Sequence, residues 1–268
     1  LVGSEMCIRD SVISIDFSKM PRDCDSYADY IDRIETNLIR DLRKEYPQIE
    51  IYEDDSAADV LETIFEECDQ QRFVFVLDEW DFIFHKDFVT EENKKQYVLF
   101  LSNLLKDRSY VQLTYMTGIL PIAKYSSGSE LNMFWEYTMA SEAKYNEYFG
   151  FTDQEVRDLL TYYECADKYE SIKEWYDGYR FGNVDVYCPW DVVSYLRSLR
   201  TNREAIPQNY WINTSSNAEV KEFIRQSKNL TTKREIERLM AGESITKTIH
   251  PELTYKEMYE SIENIWSV

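Results

Sequence analysis

Residues Phe73 to Asp81 read FVFVLDEWD, five apolar side chains running unbroken into two adjacent carboxylates, Asp78 and Glu79. A short apolar run of Val, Phe and Leu bounded by polar residues predicts a strand buried on both faces. Strands of that kind belong to parallel sheets flanked by helices, and open sheets of this class bind ligands off the carboxyl ends of their strands. Asp78 and Glu79 are therefore expected where a ligand would sit. The competing reading is a core strand that meets solvent at a polar loop.

The flanking sequence repeats the alternation. Val12–Ser18, VISIDFS, predicts a second buried strand ending in a polar turn. A helix is expected from Cys24 to Tyr46, where Tyr27, Ile31, Ile34, Leu38 and Leu42 share one face and Pro47 closes the segment. Another follows Ser56 and carries Val60, Leu61, Ile64, Phe65 and Cys68 toward Phe73. A helix over Glu91–Lys106 then leads to a strand over Tyr110–Met116, so the pattern is α/β with a parallel sheet. Beyond Phe151 the pattern turns helical. Three capping boxes, Thr152/Glu155, Thr232/Glu235 and Thr254/Glu257, each predict a helix start. Pro189 suits the first turn of another helix, and Gly242 suits a helix end before a short strand, SITKTI. The expected division is an α/β core over 12–150 and a mainly helical region over 151–268.

Composition removes several functions. With 44% hydrophobic residues and 21 Tyr the chain is globular, and no apolar stretch approaches membrane-spanning length. Fifty acids against 30 bases repel phosphate backbones, which argues against nucleic-acid binding by this segment. Five cysteines, odd in number and without a CxxC pair, fit reduced thiols in a cytoplasm. His85 and His250 are too isolated to suggest a metal cluster. Residues 1–11, LVGSEMCIRDS, look like translated sequencing adapter and are set aside as a non-native segment. With the stop at IENIWSV directly after a helical pattern, they predict a fragment cut at both ends.

The strand ending in two acids has the layout of a Walker B strand, and six strings in order carry a wider resemblance. They are FVLDEWD, Tyr115–Phe134, Tyr148–Val156, Ile172–Gly182, Val186–Leu196 and Tyr210–Asn217. In order and spacing they resemble the bacterial and archaeal AAA-ATPase-like family over about residues 12–268, a family often carrying a PD-(D/E)XK nuclease-like domain downstream. The resemblance implies a P-loop NTPase-like parallel sheet, incomplete here, followed by a helical lid. It implies ATP and Mg²⁺ in the full-length protein, with Asp78 on the metal. Glu79 becomes the acid that polarises the attacking water, and Thr117 the polar residue that feels the γ-phosphate. Thr117 alternatively satisfies its own strand end beside Gly118. Trp80 stands where the family usually has Tyr. In WYDGYRFG, expected in the lid with its aromatics in the core, Arg180 either reaches a nucleotide phosphate or clamps Asp177 beneath a tight Gly178 turn.

One element of that family is missing. A P-loop needs GxxxxGK[ST], because backbone amides and the Lys neutralise the phosphates, and none of the seven glycines is followed by Lys. The expectation is therefore a fragment of an ATP-binding, hydrolysing protein, itself inactive, with nucleotide as its ligand and a protein partner or self-association in view. The alternative is a non-catalytic regulatory or interaction module that keeps the fold.

Overall fold

The computed structural model describes residues 6–9, 11–19, 24–118, 130–137, 144–211, 230–248, 250 and 264. The chain divides into two compact units, Leu1–Trp135 and Glu136–Val268, a division that falls earlier than the expected one at 150.

In the first unit, β1 (Met6–Arg9), β2 (Val12–Asp16), β3 (Phe73–Asp78) and β4 (Val111–Met116) form one sheet in that order. β2, β3 and β4 run parallel and β1 runs antiparallel to β2. The stretch set aside as non-native thus supplies a paired edge strand. The helices follow their sequence signals closely. α1 (Tyr27–Glu45) begins where the Ser26 side chain accepts from the Asp29 amide at 3.1 Å, and α2 (Ala57–Glu67) opens on a Ser56/Asp59 capping box. α3 (Glu91–Leu105) opens on a box between Thr90 and Asn93.

Register decides which face is core. Ile13 pairs with Phe75, and Ile15 with Leu77; these residues and Phe73 are fully or nearly fully buried on one face. Burying one such side chain stabilises by about 1.5–3 kcal/mol relative to leaving it in water. Leu38 and Leu42 of α1, Leu61 and Ile64 of α2, and Leu101 of α3 join the same core, while Tyr46 meets Phe73 edge-on at 6.0 Å. The opposite face differs from expectation. Val74 and Val76 are only half-buried, and on β4 Leu113 and Tyr115 are 58% and 62% exposed. β3 is therefore buried fully on one face rather than two, and β4 is an edge strand among the described residues.

The second unit is less helical than its capping boxes suggest. β5 (Phe151–Thr152), β6 (Asp177–Phe181) and β7 (Val184–Tyr187) form an antiparallel sheet in the order β5-β7-β6. WYDGYRFG therefore ends in a hairpin strand and not in a helical lid. The turn is made at Gly182, whose φ of 58° suits a residue without a Cβ, and not at Gly178. Three helices, α4 (Asp153–Tyr162), α5 (Tyr169–Tyr176) and α6 (Pro189–Thr201), bury Val156, Leu160, Ile172, Val192 and Leu196 in one core.

Thr152 and Glu155 do form the expected capping box, and Pro189 is the first residue of α6. α7 (Leu230–Met240) runs through Thr232, so that residue lies inside the helix rather than capping it. Gly242 has φ of 80° after the helix, as a C-terminal cap requires, but Ser244–Thr248 forms no strand. Thr254 and Glu257 lie outside the described residues.

A segment after α6 is held by buried polar groups. Asp191 accepts from the amides of Tyr210 and Trp211 at 2.9 and 3.0 Å, and the Tyr176 hydroxyl bonds both the carbonyl and the amide of Gln208. No disulfide links Cys24, Cys68, Cys165 or Cys188, and among the described residues no helix is long and apolar enough to cross a membrane.

Candidate functional site

The carboxyl ends of three parallel strands meet in the first unit. β2 ends at Asp16, which is in register with Asp78 at the end of β3, and β4 ends one residue before Thr117. Backbone bonds bind these exits together. The Phe17 amide donates to the Asp78 carbonyl at 3.0 Å, the Thr117 amide to the Leu77 carbonyl at 2.8 Å, and the Trp80 amide to the Thr117 carbonyl at 3.0 Å. Across the last pair, the Thr117 hydroxyl donates to Asp78 Oδ1. Thr117 thus bonds the acid on the neighbouring strand instead of its own strand end.

Glu79 turns the chain out of the sheet with φ of 55°, in the left-handed region. That conformation costs a residue with a Cβ on the order of 1–2 kcal/mol, and strain of this kind persists only where the surroundings fix it. Here they do. Trp80 behind it is buried, its amide engaged with Thr117 and its carbonyl accepting from the Tyr97 hydroxyl at 2.7 Å. Its indole packs edge-on against Phe84 at 5.4 Å. Gly118 fits against the same ring, for a Cβ there would meet Trp80 Cδ1 at 2.3 Å and Asp81 Oδ1 at 2.7 Å.

The edge is crowded with negative charge. Burial pushes the Glu79 carboxyl above its ordinary pKa, and the charges of Asp81, Asp78 and Asp16 push it further. Asp16 moves the other way. Burial would raise it, but hydrogen bonds from the Ser18 hydroxyl at 2.6 Å, Lys19 at 3.2 Å and the Ser18 amide at 3.0 Å hold it below the usual range. Asp16 was not among the residues expected here. Its signal was the one that marked Asp78, an apolar strand ending in Asp.

Asp78, Glu79 and Thr117 are brought together. Arg180 belongs to the second unit, where it lies on β6 and pairs with Asp185 across the hairpin at 3.2 Å, not with Asp177. Register explains the choice, since Arg180 and Asp185 are directly opposed. Trp175 and Tyr179 of the same string are exposed rather than core, whereas Tyr176 is buried.

One carboxylate with a hydroxyl beside it is a donor set suited to Mg²⁺, which keeps several waters and takes further oxygens from phosphates. Among the described residues no three His, Cys, Asp or Glu are grouped to hold an ion by protein ligands alone. The chain matches no family model, no curated protein and no solved structure.

Proposed function

We propose that this chain is part of a nucleoside triphosphatase or nucleotide switch of the AAA-ATPase-like kind, with ATP·Mg²⁺ bound at the carboxyl edge of the first unit's sheet. The observation that carries the reading is the Thr117–Asp78 hydrogen bond across the ends of two parallel strands, with Glu79 following at once. Asp78 would hold Mg²⁺, which bound there supplies positive charge to the phosphate oxygens. Glu79, raised in pKa and held by its backbone turn, is suited to orient and polarise a water. Thr117 keeps the Asp78 carboxylate in one orientation and offers its oxygen to the same region. A free outer edge on β4 among the described residues leaves room for a further strand carrying a phosphate loop.

A second reading, a non-catalytic interaction module, is favoured by the absence of GxxxxGK[ST] from the sequence. Losing one preorganised donor costs on the order of 10²–10³ in rate, and a phosphate loop supplies several. Titration calorimetry with ATP·Mg²⁺ and a phosphate-release assay separate the readings. The chain alone should show neither tight binding nor turnover, and a version extended upstream by a phosphate-loop element should show both. In the extended protein Glu79→Gln should keep binding and lose hydrolysis, whereas Asp78→Ala should weaken the Mg²⁺-dependent part of binding. Hydrolysis by the Glu79→Gln protein at the unsubstituted rate would overturn the assignment in favour of the interaction module.

A further inference from the structure

The second unit carries a run of aromatic rings that its own core does not use. Tyr137 meets Tyr145 edge-on at 4.9 Å and Tyr145 meets Tyr148 at 6.1 Å; Phe149, next in the chain, meets Phe181 at 6.1 Å, and Phe181 stacks on Tyr179 at 6.2 Å. Tyr148 and Tyr179 are 75% and 55% exposed, and Tyr145 and Phe149 are also exposed. The two groups of rings are neighbours, for the Asn146 side-chain amide, between Tyr145 and Tyr148, donates to the Phe181 carbonyl at 2.9 Å; exposed aromatic surface of this kind marks an interaction site, and aromatic residues are the ones enriched at interfaces. Two of the rings lie on β6, which is an edge of its sheet among the described residues and has open space beside Gly178.

Charge selects the partner. Between residues 144 and 187 acids outnumber bases two to one, Arg180 is already paired with Asp185, and the whole chain has a net charge of −20. An aromatic face in a negative field attracts cations, through the ring quadrupole and through long-range electrostatics. The surface already holds one such contact. The Lys144 ammonium sits 4.7 Å from the Tyr145 ring centre and 5.2 Å from that of Tyr137.

We infer that this aromatic face docks an extended, basic segment of a partner protein, its Lys or Arg side chains over the rings and its backbone along the β6 edge. Edge-strand addition supplies the main-chain bonds in such a complex, and the rings supply the selection.

The test uses the full chain and a labelled peptide alternating arginine and valine, with a glutamate–valine peptide as its counterpart, followed by fluorescence anisotropy. The basic peptide should bind and the acidic one should not. Tyr148→Ser with Tyr179→Ser should weaken binding about tenfold, the loss of two exposed cation–π contacts. Tyr162→Ser with Tyr163→Ser, which removes a separate tyrosine pair from the same unit, should leave affinity unchanged. Lys144→Ala vacates two rings and should tighten binding. Equal affinity of the first double variant and the unsubstituted chain, or equal losses in both double variants, would overturn the inference in favour of plain charge attraction. A dimer that becomes monomeric in the first double variant, without loss of peptide affinity, would assign the face to a second copy instead.

Discussion

Replacing Gly118 by alanine drives a methyl group into filled space. A Cβ at this position lies 2.3 and 2.4 Å from two ring atoms of Trp80 and 2.7 Å from Asp81 Oδ1. The Gly118 backbone is not left-handed, so the penalty is steric and not conformational. Trp80 has little freedom to retreat, being 2% exposed, edge-on to Phe84, and tied at both its amide and its carbonyl. Forced insertions into packed cores cost about 1–3 kcal/mol, and confinement on three sides puts this one toward the upper end. At about 2–4 °C per kcal/mol for a chain of this size, the melting temperature of the first unit should fall by about 5–10 °C.

Because the two units need not unfold together, the measurement should be local. Hydrogen exchange read by mass spectrometry on peptides from 73–118 should show faster opening, with second-unit peptides as internal controls. Trp80→Ala alone should cost about 3–5 kcal/mol. In that background the ring is gone and only the 2.7 Å approach to Asp81 Oδ1 remains, so Gly118→Ala should add clearly less than it does alone, a coupling read in a double-mutant cycle. Unchanged exchange in Gly118→Ala, or the same increment with and without Trp80, would refute the close-approach argument.

Asp153 accepts from Tyr169 at 2.5 Å, Arg157 at 2.7 Å and Tyr187 at 2.8 Å, and the Tyr169 bond above all holds its pKa down at about 2. Its contribution to stability is present above the ordinary carboxylate pKa and lost as pH falls from about 4 toward 2, so thermal scans of the second unit should lose in that window a component absent from Asp153→Asn. Glu79 has the opposite sign. Its raised pKa means the folded state prefers the protonated form, so ionisation costs stability as pH rises through that value; Glu79→Gln should be the more stable protein at pH 7, with the difference vanishing below about pH 4 in urea titrations. Asp191→Ala strands the amides of Tyr210 and Trp211 and should cost about 1–3 kcal/mol, with exchange protection lost at those two residues; Asp191→Asn keeps an acceptor and should recover most of it.

The parallel strands were legible from their apolar runs and the first two helices from apolar residues on one face, whereas the caps at Ser26 and Thr90 that fix where α1 and α3 begin emerge only from the structure. Asp78 with Thr117 was legible because acids and hydroxyls at strand ends converge whenever the strands are parallel neighbours. Asp16 carries the same signal, an apolar strand ending in Asp, and its place beside Asp78 follows only from the register of β2 on β3. What local pattern cannot report is the environment of a face. An apolar run such as FVFVL looks the same whether both sides are covered or one, and only the exposure of Leu113 and Tyr115 on the neighbouring strand shows that the second side is open. WYDGYRFG misled for a related reason. Aromatic-rich segments serve equally as core or as exposed ladder, and only pairing with Val184–Tyr187 reveals a hairpin whose Arg180 faces Asp185.

The antiparallel strand β1 gives the first unit's sheet a direction of growth. It lies outside β2, so a further parallel strand has no place between β2 and solvent without displacing four established pairs. Among the described residues the flank along Val111–Met116 is the one where the parallel run of β2, β3 and β4 can be extended without interruption, and its side chains Leu113 and Tyr115 are apolar where an outer strand usually defends itself with lysine or proline. A strand that extends this parallel run, from the same polypeptide or another, arrives next to Thr117 and so beside the acidic edge. On the proposed reading, a strand added there would extend the sheet and line the nucleotide site at one stroke.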